Sequence, residues 1–163
     1  PFQSSSTFAS YGVKHGDRQA LLDALPAAHL AFLQALEPWY SLSLGQEHHP
    51  YKTLLAIHAG LEIPGKNSML RVVPDVDQQL EELRDGSALA LPWIEQLQGR
   101  GNTRATPDEL QESQTLLVSG HHGILDLDSD WRWIIDHGSG GRPLAAVLLP
   151  DQLVLKSDGK EHP

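Results

Sequence analysis

The sequence predicts an α/β fold. Three observations carry that prediction. Short runs rich in Leu, Val and Ile end in histidine or aspartate followed by small residues, stretches with helical apolar spacing lie between them, and Gly/Pro-punctuated polar segments separate the two. The 163 residues, 40% of them hydrophobic, suit one globular domain with its own core.

The elements follow in order. From Asp17 the run DRQALLDAL places an N-capping aspartate before Leu21, Leu22 and Leu25, which reads as a short amphipathic helix stopped by Pro26. Pro26 then opens a second helix, AAHLAFLQAL, that brings Leu30, Leu33 and Leu36 onto one stripe before Pro38. Trp39–Leu44 and Thr53–Ile57, separated by the polar GQEHHP, read as a β-hairpin with a longer loop. The turn-rich LEIPGKNS precedes a helix in which Val76, Leu80 and Leu83 keep helical spacing up to Asp85-Gly86. Gly99–Ser113 is polar and punctuated by Gly and Pro, so a surface loop with at most one helical turn is expected. Strand patterns return at Thr115–Val118, Trp131–Ile135, Leu144–Leu149 and Leu153–Leu155.

Charge and composition narrow the function. The 12 Lys+Arg against 21 Asp+Glu leave a net charge of −9, which disfavours general attraction to nucleic acid or to anionic lipid. A phosphate-handling site in such a chain needs bound cations. Cysteine is absent, so disulfides and thiolate metal sites are excluded, and any metal must be held by His, Asp, Glu or Asn. No run approaches the ~18 apolar residues of a membrane span, and PFQSSSTFAS carries no basic-then-apolar signal pattern, so a cytoplasmic protein without membrane partners is expected. The chain begins at Pro1 without an initiator Met and reads either as a segment of something longer or as a chain with a processed N-terminus.

The chemistry concentrates where apolar runs end. LLAI runs into His58-Ala-Gly, LLVSG into His121-His122-Gly, and WII into Asp136-His137-Gly. Polar residues at the carboxyl ends of neighbouring strands, backed by glycines, are where α/β sheets build ligand and metal sites. Neutral imidazole is the natural ligand for Mn, Fe or Zn in a chain without cysteine. Any one of these histidines, taken alone, is more simply a hydrogen-bonded structural residue. His48-His49 read as a solvated pair in a polar loop, His29 as a partly buried helix residue, and Asp126, Asp128 and Asp130 as a turn, since the Gly and distant Glu of an EF-hand do not follow. Trp131 and Trp133 alternate with Arg132 as in a strand with one buried face.

Read in order, the segments resemble the bacterial serine/threonine phosphoprotein phosphatases of the calcineurin-like metallophosphoesterases, a group related to symmetrical diadenosine-tetraphosphate hydrolases. The matching pieces are SYGV (Ser10–Val13), LPAAHLAFLQAL (Leu25–Leu36), IHAGL (Ile57–Leu61), DQQLEEL (Asp77–Leu83), LPWI (Leu91–Ile94), VSGHH (Val118–His122) and IDHGSGGRPLAAVLLPD (Ile135–Asp151). The resemblance implies that residues 1–163 are the C-terminal part of one metallophosphoesterase domain, a partial four-layer α-β-β-α sandwich. The C-terminal strands would belong to one sheet, with the early helices packed outside. It implies hydrolysis of a phosphate ester or anhydride in a phosphoprotein or nucleotide, using two divalent cations of Mn, Fe or Zn type. His58 and His121 take the positions of ligands to one metal, and Asp136 that of a supporting residue accepting a hydrogen bond from a ligating histidine or nearby backbone.

The departures matter as much. The Asp-x-His, GDxxDRG and GNHE motifs that such a centre also requires do not occur, so these residues by themselves are expected to be inactive. His122 and His137 stand where the family has threonine and would line the cleft as additional imidazoles. Trp93-Ile94-Glu95 replaces an arginine-bearing segment, and a carboxylate there repels phosphate, so Arg142, Arg100 or Arg104 would have to bind it instead. The alternative is a degenerate, non-catalytic member acting as a binding module.

Overall fold

The computed structural model describes residues 4–48, 50–63, 73, 75–85, 106–121, 123–136, 143–149, 151–157 and 161–162. They form two compact units, Pro1–Glu37 and Pro38–Pro163.

The first unit is helical: α1 (Ser4–Ser10), α2 (Arg18–Ala24) and α3 (Ala27–Gln34). Asp17 caps α2 as its sequence predicts, its carboxylate accepting from the Ala20 N–H at 3.0 Å. Pro26 occupies the N-cap of α3, where its missing N–H leaves no helical bond unmade. The α1 helix is not anticipated, because SSSTFAS is poor in strong helix formers. Two further expectations are corrected. The stripe Leu30, Leu33 and Leu36 is exposed, and so is His29, whose Nδ1 lies 2.9 Å from the Tyr11 hydroxyl.

The second unit is built on a five-stranded mixed sheet in the order β1-β2-β3-β5-β4, with β1 Trp39–Ser43, β2 Thr53–Ile57, β3 Thr115–Ser119, β4 Leu125–Asp126 and β5 Arg132–Ile135. The β1 and β2 strands pair antiparallel as the expected hairpin, with Trp39 opposite Ile57. The β2, β3 and β5 strands run parallel, with Ile57 opposite Ser119 and Ser119 opposite Ile134. Parallel pairing puts the carboxyl ends of all three strands on one edge, which is why residues far apart in sequence can meet there. Every residue of β3 is buried, as in a central parallel strand covered on both faces.

Alternation divides the apolar residues between the two faces. Leu55, Ile57 and Leu117 face Leu61, Leu110 of helix α5 (Asp108–Glu112), and Val76 and Leu80 of helix α4 (Val76–Asp85). Trp39 and Leu83 complete this cluster, and the Trp39 indole N–H donates to the Leu80 carbonyl at 2.9 Å. On the other face Leu116, Val118 and Trp133 meet Tyr51, Leu54, Leu127, Ile135, Val147 and Leu149. Each buried side chain of this size contributes about 1.5–3 kcal/mol relative to exposure.

The C-terminal strands do not share one sheet. While β5 lies in the five-stranded sheet, β6 (Ala145–Leu148), β7 (Leu153–Lys156) and β8 (Glu161–His162) form a separate antiparallel sheet. Through Val147 and Leu149 that region packs over Trp133.

Candidate functional site at the strand carboxyl edge

The site begins with three strand ends. His58 follows β2 directly, Gly120-His121 follows β3, and Asp136 follows β5. The first two loops are tied by their backbones, the Gly120 N–H donating to the His58 carbonyl at 2.9 Å. The imidazoles then meet: His58 Nε2 lies 2.9 Å from His121 Nδ1, with ring centroids 4.8 Å apart at 60°. Both side chains are exposed.

His121 reaches this position with φ +69°, in the left-handed region that non-glycine residues enter at a cost of about 1–2 kcal/mol. The next described residue, Gly123, has φ +69° as well, and its N–H donates to Asp136 Oδ2 at 2.8 Å. Asp136 therefore acts on backbone: its carboxylate holds the turn that carries His121.

Electrostatics favour the neutral form of His58. Burial lowers the His58 pKa from its ordinary 6.5, and the neighbouring His121 lowers it further, against a smaller upward pull from Asp136. A neutral imidazole retains the lone pair that a cation needs. Two nitrogens bound at about 2.0–2.1 Å to one cation, subtending about 90–110°, stand about 2.8–3.4 Å apart. The observed separation of 2.9 Å lies near the short end of that range and is also that of an N–H···N hydrogen bond, so taking up a shared ion requires the pair to release the proton between the two nitrogens. It is a pair and not a full ligand set: among the described residues no group of three or more His, Asp or Glu side chains is placed to hold a metal.

Other sequence candidates fall elsewhere. His48 sits in a short 3-10 turn, Gln46–His48, before β2 and so away from the His58 edge, with Nε2 3.5 Å from Glu47. Asp126 lies in β4 and accepts from the Asp128 N–H at 3.2 Å, as a turn requires. His49, Trp93-Ile94-Glu95, Arg100, Arg104, His122, His137, the Gly138–Gly141 loop and Arg142 lie outside the described residues.

Arg132 escaped the sequence reading. A charged residue between two tryptophans looks solvent-facing, yet Arg132 is 2% exposed. Its Nη2 donates to the Ala59 carbonyl at 3.1 Å, just beyond His58. Burial pushes its pKa down to about 10, which still leaves it charged at neutral pH. The only available signal is that β5 is an inner strand, and sheet order cannot be read from periodicity.

Fold and site together define a mixed α/β protein with a histidine pair at the carboxyl edge of its parallel strands. No protein-family model matches the chain, and no curated protein does either. Among the described residues no helix is long and apolar enough to cross a membrane.

Proposed function

We propose that this chain contributes His58 and His121 as ligands of one cation in a metal-dependent phosphoesterase, acting on a phosphoprotein or a nucleotide polyphosphate. The observation that carries the reading is the 2.9 Å approach of the two imidazoles at the carboxyl edge of β2 and β3. The layering agrees with it: α4 and α5 cover one face of the five-stranded sheet, and Val147 and Leu149 of the second-sheet region cover the other. A helix layer, the five-stranded sheet and a second sheet in that order support the reading.

Each residue has a definite task. His58 presents a neutral ring because its surroundings disfavour protonation. His121 is held opposite by a left-handed backbone that Asp136 braces through Gly123. When bound, two divalent cations of Mn, Fe or Zn type supply Lewis-acid polarisation of the phosphoryl group and acidify water. With a net charge of −9, the chain offers a phosphate no general attraction of its own, so bound cations would also offset that repulsion. The bridging carboxylate of such a centre belongs to motifs that these residues do not include, so the chain alone is expected to bind metal without turnover.

Calorimetric titration with Mn²⁺ and Zn²⁺ tests the assignment. The native chain should bind one ion per molecule, and His58→Ala and His121→Ala should each weaken binding tenfold or more. Equal affinity in all three proteins would remove the histidine pair from the metal site.

A further inference from the structure

We infer that Arg132 is a positioning residue for His58, acting from beneath the sheet edge through the Ala59-Gly60 turn; this rests on the reading of His58 and His121 as a ligand pair. The sheet register sets Arg132 opposite Leu117 on β3, and so on the face covered by α4 and α5. From there its Nη2–H donates to the Ala59 carbonyl, the first peptide oxygen after the residue that presents the imidazole. Gly60 follows with φ +137°, a conformation open to glycine and closed to most residues. A Cβ at Gly60 would stand 2.7 Å from Arg132 Nη2, so glycine is needed both for the backbone shape and for the approach of the guanidinium. The turn that fixes His58 is thus shaped around Arg132.

Stability alone does not account for this arginine. It is buried, yet its Nε and Nη1 have no hydrogen-bond partner among the described residues. Burying a guanidinium with only part of its donors used is costly, and an apolar residue of similar size would pack there more favourably. Such a violation of local packing rules marks positions held for function. Here the identifiable product of the violation is one hydrogen bond, and it anchors the turn at His58.

The test compares the native chain with Arg132→Met, Arg132→Lys and Gly60→Ala. Two readouts are used: imidazole ¹⁵N spectra of the metal-free protein and titration with Co²⁺. Arg132→Met should uncouple the His58 and His121 ring signals and weaken Co²⁺ binding about tenfold to a hundredfold, with an unchanged far-ultraviolet spectrum. Arg132→Lys, which keeps a charged donor, should recover much of both. Gly60→Ala should disturb the His58 signal although Arg132 is intact. If the native chain takes up no Co²⁺ while Arg132→Met still shifts the His58 signal, the metal reading fails and the positioning role stands. Native imidazole spectra and native Co²⁺ affinity in folded Arg132→Met would overturn the inference. Should Arg132→Met not fold, native ring signals in both Arg132→Lys and Gly60→Ala would overturn it equally.

Discussion

His58 Nε2 and His121 Nδ1 stand 2.9 Å apart although 63 positions separate them in the chain. At that distance one ring donates its N–H and the other accepts with a lone pair, so protonating both rings breaks the contact. The approach therefore carries a pH dependence with a definite sign. The folded-state pKa of His58 is depressed, so the unfolded chain binds that proton first as pH falls. The contribution to stability is fully present above about 6.5 and is lost as pH drops through the lower folded value. Urea midpoints should fall between pH 7.5 and pH 5, and His58→Ala should reduce that dependence.

The same pair predicts opposite shifts from two neighbours. His121→Ala removes the ring whose interaction lowers the His58 pKa and should raise the His58 midpoint in a proton NMR titration. Asp136→Asn removes the carboxylate that favours the charged ring and should lower it further. Identical midpoints in the three proteins would mean that the rings do not sense each other.

Asp136 also has a mechanical role. Asp136→Ala leaves the Gly123 N–H without its carboxylate acceptor and should cost about 1 kcal/mol at this half-exposed position. Amide exchange at Gly123 should quicken while the β3 amides keep native protection.

Among the described residues Trp133 is the largest fully buried side chain, and it belongs to the cluster against which Val147 and Leu149 pack. Trp133→Ala should destabilise by about 3–5 kcal/mol in urea unfolding. Leu80→Ala, on the helix-covered face, should cost about 2–5 kcal/mol.

Gln79 works as a side-chain substitute for a strand. Its Oε1 accepts from the Glu62 N–H at 2.8 Å and its Nε2 donates to the Glu62 carbonyl at 3.2 Å, and the residue is 1% exposed. Gln79→Ala removes both of these bonds to the buried Glu62 peptide groups, at about 1–3 kcal/mol each. The variant should lose stability by denaturant melting far beyond what its small change in volume explains.

Much of this architecture was legible because its signals are local. Asp17 before an amphipathic run, the Val76, Leu80 and Leu83 spacing, and apolar segments stopping at His58, His121 and Asp136 all express short-range preferences. What escaped depends on partners distant in sequence. The burial of Arg132 follows from β5 lying between β3 and β4, and the separate sheet of β6 to β8 follows from pairing that no period encodes. Nor could the apolar residues of α3 reveal that Leu30 and Leu33 would stay exposed. At the strand ends, the apolar runs that stop at His58, His121 and Asp136 were legible, while the left-handed His121 and the bond from Gly123 to Asp136 required backbone geometry.

The most direct test of the central claim is the zinc K-edge absorption spectrum of the chain loaded with one equivalent of Zn²⁺, recorded beside the His58→Ala/His121→Ala double variant. The native spectrum should show two imidazole nitrogens at about 2.0–2.1 Å, and that signature should vanish in the variant. A shell of oxygen alone in the native chain, or an imidazole signature that survives loss of both histidines, would contradict the account.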